Sequence, residues 1–481
     1  MDKKFYITTT LPYVNAKPHL GFALEIIQAD VIARYKSLLG YEVFFNFGTD
    51  EHGQKIYQKA LEDGKDPQEY VDEYAKKFDG LKTSLNLSYN NFIRTTDPHH
   101  KKAAQEIWKR CTDNGFIEKG TYKTKYCVGC ELEKQDSELE NNKCPIHPNL
   151  EIEIIQEENY FFRFSKFQKQ LLELYGKYPD FVVPEHRQKE ITNFVSSGLE
   201  DFSVSRLKEK MPWGVPVPGD DNHVQYVWFD ALTNYISALG WPEDEKKFKD
   251  YWGTTEEPKA LQVAGKDNLR QQSAMWQAML MAADLPTSRQ IFIHGFITSG
   301  GQKMSKSLGN VIDPIEYVEK YGVDTLRYYL LAKINPTEDS DFTKEKFGET
   351  YNGELANGLG NLVSRVAKLA ENSDFEFYFD DSNHRSIDKN VSDQIDNYRF
   401  DEALKVIWTK VTEVDKYIND NEPWKLEGDK LKEVLNFAVT SLIAIGCSLS
   451  PFLPETAEKI ELQFKGPKIK SGLPLFPRLG K

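Results

Sequence analysis

The chain is 481 residues long, 40% hydrophobic and 28% charged, with a formal net charge of -13. That length is a prior for about three or four domains, and the composition belongs to globular proteins rather than disordered or fibrous ones. The negative field opposes indiscriminate binding to nucleic acid, and five cysteines in so long a chain oppose a disulfide framework.

The start, MDKKFYITTTLPYV, lacks the apolar core of a signal peptide, so a cytoplasmic protein is expected. Residues 4–10, KFYITTT, are rich in β-branched and aromatic side chains and predict a strand. After the loop LPYVNAK a helical pattern opens at Pro18. Leu20, Leu24, Ile27, Val31, Tyr35 and Leu38 recur at spacings of three and four, and Gly40 ends the run. YEVFFNF, 41–47, predicts a second strand. Strand, helix, strand in this compass is a βαβ unit and implies a parallel sheet. Residues 116–225 change character, with clustered cysteines, charged segments and the turn-rich MPWGVPVPGDDN, and predict an insertion. From HVQYVWFDALTNYISALG the α/β pattern resumes: ALQVAG and QIFIHGF predict strands, and 269–283 a helix. Strand signals fade after about 321, and 351–464 reads as a helical bundle. The apolar run Phe437–Gly446 is far short of the roughly 20 residues of a membrane span. The last 17 residues carry five basic side chains and no acidic one, either a solvated end or a local basic surface.

Two places carry chemistry by spacing. Cys127-x2-Cys130 and Cys144-x2-His147 form paired knuckles, the ligand set of a tetrahedral Zn²⁺. Four protein ligands leave no open position, so the metal would be structural. The stretch GGQKMSKSLGN, 300–310, places Lys303 and Lys306 on a glycine-rich segment that reads as a mobile surface loop. Two ammonium groups three residues apart suit one anion. There is no Walker loop and no G-x-G-x-x-G turn. The first strand-to-helix turn instead reads NAKPHLGF. Pro18 suits a helix start, Gly21 lets a ligand approach the backbone, and His19 stands at a helix end that favours phosphate.

PHLGF after the first strand and KMSKS near the end of the second α/β half resemble the two signature motifs of the class I aminoacyl-tRNA synthetases. LPYVNAKPHLG, GTDEHGQKI, ENYFFR, WGVPVPGDD, YVWFDALTNY, AGKD, HGF and KMSKSLGN follow in the order expected of the methionyl-tRNA synthetases, and the knuckle sits where that family carries one. The resemblance covers nearly the whole chain. It implies an α/β fold: a Rossmann-like parallel-sheet catalytic domain split between 1–115 and 226–320, an inserted connective domain with a zinc knuckle at 116–225, a linker at 321–350, and a C-terminal α-helical anticodon-binding bundle at 351–481. It implies that ATP, with Mg²⁺, and L-methionine form methionyl adenylate and pyrophosphate, and that the adenylate passes to tRNA(Met). In that scheme His19, Lys303 and Lys306 act on the phosphates. Gly21, Gly265, Asp267, His294, Gly295 and Ile297 hold the nucleotide, with Asp267 on the ribose and the backbone at 294–297 on adenine. Asp50 would pair with the methionine ammonium group, and Leu11, Tyr13, Trp228, Ala231, Tyr235, Gln272 and Trp276 would line the thioether pocket.

Two departures accompany the likeness. The first motif usually ends in His, and here it ends in Phe22, which cannot hydrogen-bond phosphate. Where the family commonly has an apolar residue, a His and a Pro, this chain has Asn268, Gln272 and Gln277. Gln272 is then expected to replace an imidazole as partner of a buried Tyr235 hydroxyl. At the other end, Asn357, Asn361 and Arg365 fall at i, i+4, i+8 and predict one polar helix face. Amides and a guanidinium in a row suit unstacked bases, and Trp424 in NEPWKL would stack on one. The resemblance places these four at the methionine anticodon. A monomer with no membrane partner is expected. The rival readings are a class I ligase for another apolar amino acid and a paralogue that binds RNA or a metabolite without catalysis. The insertion, only about a hundred residues long, opposes the first, and the intact KMSKS stretch opposes the second.

Overall fold

In a computed structural model, residues 3–15, 17–134, 136–304, 310–378 and 387–478 are described. At its centre lies a six-stranded sheet. Its strands, numbered along the chain, are β1 (Lys4–Thr9), β2 (Glu42–Thr49), β3 (Asn91–Arg94), β4 (Val182–Val183), β5 (Leu261–Gly265) and β6 (Gln290–His294). Their spatial order is β3-β2-β1-β5-β6-β4, and every pairing is parallel. Helix α1 (Leu20–Leu38) makes the first crossover, as the spacing predicts.

A parallel sheet is covered on both faces, so each strand buries both of its alternating sets of side chains. Ile7, Phe45, Phe47, Val263 and Phe292 point to a core shared with α1 and the C-terminal helices. Tyr6, Ala264, Ile291 and Ile293 point to a second core with Trp108, Phe181, Trp252 and Trp276. The first core is pinned by charge. Arg327, fully buried, meets the Asp30 carboxylate of α1 at 2.7 Å and donates to the carbonyls of Pro451 and Phe452. Burial alone would raise the Asp30 pKa, but Arg327 and Arg34 hold it below the usual carboxylate value.

Residues 117–225 build a four-stranded antiparallel sheet, in the order Leu132–Lys134, Ile117–Cys127, Glu153–Phe162, Phe202–Ser203, and a smaller three-stranded one. This segment is less separate than its sequence suggests. It sends β4 back to the edge of the central sheet, where Val182 and Val183 pair with Ile291 and Phe292. Two residues are too short to register as a strand by pattern.

The C-terminal part packs helices Asn361–Ser373, Phe400–Asn421, Gly428–Leu449 and Pro454–Phe464. Three expectations change here. Residues Tyr351–Gly360 wind as a π-helix ahead of the α-helix that starts at Asn361, so Asn357 is not in strict α register with Asn361 and Arg365. The run 437–446 lies within a 22-residue helix that is long and apolar enough, by length and composition, to cross a membrane. Leu435, Val439, Leu442, Ile445 and Leu449 are buried in the bundle. The basic tail folds back: Ile469 and Phe476 are buried, and the Tyr351 hydroxyl donates to the Pro477 carbonyl at 2.6 Å. Apolar side chains between the lysines supply that anchorage.

Candidate active site

The carboxyl ends of β1, β2, β5 and β6 converge where the strand order reverses, the place at which open α/β sheets hold ligands. Glu25 of α1 ties two of these ends together. It accepts from the Thr10 backbone N–H at 2.8 Å and contacts His294 Nε2 at 2.9 Å, while His294 Nδ1 donates to the Gly295 carbonyl. Burial alone would lower the His294 pKa. The Glu25 carboxylate and that carbonyl reverse the sign and raise it. Gly295 is needed for close approach, since a Cβ there would sit 2.2 Å from the Glu338 carbonyl carbon. Ile297 is buried just beyond. Gly265 ends β5, and Asp267 follows it at the exposed rim.

Beside these ends is a cavity of about 300 Å³. Leu11, Tyr13, Asp50, Trp228, Ala231, Tyr235 and Gln272 all line it, together with Phe22, Asp267 and Asn268. Trp276 is not on its wall. It stands behind Tyr235, ring centroids 5.8 Å apart and edge-on, and is fully buried. The Gln272 amide donates to the Tyr235 hydroxyl at 2.6 Å, as the sequence suggests. Asn268 is half-buried at the mouth and donates to Asp267. A neighbouring cavity of about 500 Å³ shares Cys130 and Asp267 with it. A larger cavity, about 680 Å³, lies elsewhere, between the far end of α1 and the last helices, and none of the sequence-predicted site residues reaches it.

Asp50 is one of four charged side chains on the small cavity, with Lys55, Glu131 and Asp267. It follows β2 and is held by backbone bonds to Pro12 and Val14, yet its Oδ1 is buried with no hydrogen-bond partner. Burial, then the carboxylates of Asp230 and Glu131, push its pKa well above the ordinary carboxylate value. Asp230 behaves oppositely. Although fully buried, it is held down to about 2 by the imidazoles of His52 at 2.6 Å and His100 at 2.8 Å. Neither histidine, nor Asp230, nor Glu25 stands out in the sequence. Glu131 does carry a signal, because it follows the knuckle's Cys130 directly. It adopts φ 49, turns into the cavity and accepts from the Tyr13 hydroxyl at 3.0 Å.

His19 caps α1, its Nδ1 accepting from the Gly21 N–H at 3.1 Å, and its ring lies 4.9 Å from that of Phe22. Phe22 in turn meets Phe78 edge-on at 5.7 Å, so the residue that departs from the motif is packed as an apolar side chain. The lysine stretch begins in order. Ile297–Ser299 and Gln302–Lys303 form a hairpin, Thr298 opposite Lys303, and Gly300 and Gly301 take φ 63 and 75. Two consecutive positive φ values are the tight turn that strand twist favours. These glycines therefore form a fixed corner rather than a loose loop, with the Gly301 N–H bound to Asp341. The Lys303 side chain, Lys306 and Gly309 lie outside the described residues. Where the chain is described again, the Ile312 carbonyl accepts from the Leu20 N–H at 3.1 Å. The stretch thus leaves from the β6 side and returns to the N-terminus of α1.

In the insertion the ligand atoms of Cys127, Cys130, Cys144 and His147 all lie within 4.8 Å of one another. The close pairs run from 3.3 Å, Cys130 to His147, to 4.0 Å, Cys144 to His147. A zinc tetrahedron has edges of about 3.5–3.8 Å, so the group fits such an ion. At the far end of the molecule Asn357 and Asn361 are exposed. The Arg365 guanidinium lies 5.2 Å over the ring of Trp424, which is 52% exposed. Arg365 is also held by Asp415 and Asn419.

Residues 5–148 and 130–367 match the family model of class I tRNA synthetases (M). A methionine–tRNA ligase of Thermotoga maritima is 41% identical over 477 residues, which is 95% of this chain and 74% of that protein. One from Nostoc sp. is 42% identical over 479 residues, 96% of this chain and 90% of that one. Among solved structures, Mycobacterium tuberculosis methionyl-tRNA synthetase in complex with methionyl-adenylate is similar at a TM-score of 0.90 and 34% identity, covering 99% of this chain and 100% of that one.

Proposed function

The chain belongs to the methionine–tRNA ligases of the class I tRNA synthetases, and from that premise we propose how its own residues carry the reaction. ATP activates L-methionine to methionyl adenylate, pyrophosphate leaves, and the methionyl group passes to the 3′ end of tRNA(Met). One observation carries the assignment of residues: a buried carboxyl with an unpartnered oxygen, Asp50, in a cavity of about 300 Å³ at the switch point of the sheet.

A cationic substrate suits that carboxyl. Alone it is pushed toward its neutral form, and an ammonium group beside it restores the charge. Tyr13, Leu11, Trp228, Ala231 and Tyr235 then enclose the side chain, and aromatic rings accept a thioether well. Gln272 holds Tyr235, and Trp276 backs it. Gly265 and Asp267 receive the ribose, and the backbone at His294, Gly295 and Ile297 receives adenine. Gly21 and His19, at the helix N-terminus, meet the phosphates. The methionine carboxylate is already a competent nucleophile toward the α-phosphorus, so catalysis is positioning plus stabilisation of the charge that builds on pyrophosphate. Lys303 and Lys306 supply that stabilisation, with Mg²⁺ entering on ATP. The contact of Ile312 with the start of α1 supports this role.

Cys127, Cys130, Cys144 and His147 would hold Zn²⁺ as a structural ion that fixes the turn carrying Glu131. The division into catalytic halves at 1–115 and 226–320, a connective insertion at 116–225, a linker at 321–350 and an anticodon-binding bundle at 351–481 follows from the same reading. In the bundle Asn357, Asn361, Arg365 and Trp424 would meet the anticodon. We read the protein as a cytoplasmic monomer. The decisive experiment is amino-acid-dependent exchange of labelled pyrophosphate into ATP. Exchange with methionine, and not with leucine, isoleucine or valine, is expected; exchange driven by another amino acid alone would overturn the substrate assignment.

A further inference from the structure

Behind the methionine cavity lies a chain of five buried polar side chains whose hydrogen-bond direction can be deduced from two backbone groups. Gln262 is on β5, Gln272 in a π-helical turn at Gln271–Met275, Gln277 on the following helix Trp276–Ala282, and Ser288 in the loop before β6. None of them, nor Tyr235, is more than 2% exposed.

A backbone N–H only donates, and a backbone carbonyl only accepts. The Ser288 N–H meets one end of the Gln277 amide at 3.0 Å, so that end is the oxygen. The other end is then the nitrogen, which agrees with its contact to the Gln272 carbonyl at 2.8 Å. The same nitrogen reaches Ser288 Oγ at 3.1 Å, so Oγ accepts there and spends its own proton on the Gln262 side-chain oxygen. The Gln262 nitrogen must then donate to Gln272 Oε1, at 3.1 Å, which leaves the Gln272 nitrogen facing the Tyr235 hydroxyl at 2.6 Å. The phenolic oxygen accepts from Gln272, and its other side-chain neighbour, Asn234, also lines the cavity, so the hydroxyl proton is left to the cavity side.

We infer that Gln277, Ser288 and Gln262 are positioning residues: they fix the polarity of the Gln272–Tyr235 bond so that Tyr235 meets the bound amino acid as a hydrogen-bond donor. The inference rests on the methionine reading of the cavity and names what selects among substrates there. A thioether sulfur accepts a hydrogen bond weakly, and a methylene in its place does not accept one at all. The relay therefore favours methionine over the apolar isostere norleucine.

The test is pyrophosphate exchange with methionine and norleucine on the full chain. Gln272→Glu keeps the shape but presents an acceptor, which captures the Tyr235 proton. Its KM for methionine is expected to rise at least tenfold and its KM for norleucine less than threefold. Gln272→Met removes the donor without capturing the proton and is expected to fall between wild type and the Glu variant. Ser288→Ala, remote from the cavity, breaks the chain at its middle. It should lower the methionine-to-norleucine preference severalfold while kcat stays within twofold. Equal losses for both amino acids in the Glu and Ala variants, or no loss in either, would overturn the relay. Absence of methionine-dependent exchange in wild type would instead overturn the reading of the cavity, so the two failures are distinct. Thermal melts of each variant identify any that do not fold, and for those Gln262→Leu provides a second break in the chain.

Discussion

The state of the Asp50 carboxyl is set by what is withheld from it. Its backbone is tied down on both sides, yet one of its oxygens is left without a partner, and two further carboxylates, Asp230 and Glu131, stand near enough to oppose its charge. Asp230 keeps its own charge because His52 and His100 clamp it, so the opposition is permanent. A raised pKa at Asp50 means that the anionic form is lost as pH falls, and lost earlier than for an ordinary carboxyl near 4. The acid limb of kcat/KM for methionine should therefore sit above that range in wild type. Asp50→Asn should flatten the limb and lower kcat/KM by about two orders of magnitude, the scale of an unpaired ammonium in a buried site. A pH profile of pyrophosphate exchange measures both. A wild-type limb at pH 4 with no loss in the variant would show that the ammonium binds elsewhere. The sequence points to Asp50 through the family likeness of GTDEHGQKI and its place after a strand. Its neighbours Asp230, His52 and His100 come from three separate stretches, and nothing local in any of them signals the others.

At the scale of elements, what could be read in advance depended on length. β1, α1 and β2 are long enough for β-branched content and helical spacing to show, and they form as predicted. β4 has two residues, and its pairing with β6 is a tertiary event. The π-helical turn at 271–275 has the same composition as an α-helix and is set by what surrounds it. The Gly300–Gly301 corner was legible in principle, since two glycines between short extended runs signal a tight hairpin. The low apolar content of the glycine-flanked stretch points instead to a mobile loop. The correction has a measurable consequence. At φ 75 a β-branched side chain is strained, so Gly301→Val should cost about 1–2 kcal/mol locally. The hairpin carries Lys303 in its second strand, so kcat for exchange should fall about tenfold, while KM for methionine stays near wild type, because the cavity residues are on other elements. An unchanged kcat would separate the corner from the chemistry.

Across the whole molecule, the exposed Trp424 with its overlying Arg365 and the switch-point cavity belong to regions joined through the Arg327–Asp30 pin and the first core. They should be separable by assay. Trp424→Ala is expected to raise KM for tRNA(Met) in aminoacylation by about 10–100-fold, the worth of one stacked base, and to leave pyrophosphate exchange without tRNA unchanged. A loss in both assays would place the indole in the fold and not at the RNA. The feature that links these regions most directly is β6. The insertion grips its open edge at Ile291 and Phe292, and Tyr398 of the helical end lies flat on Phe292 at 4.5 Å. Its last residue, His294, meets Glu25 of α1 at 2.9 Å. Three regions thus share one girder. A load placed on any of them arrives at the other two as a change in stiffness, so amide exchange along Ile291, Phe292 and Ile293 becomes a single gauge for what each is holding.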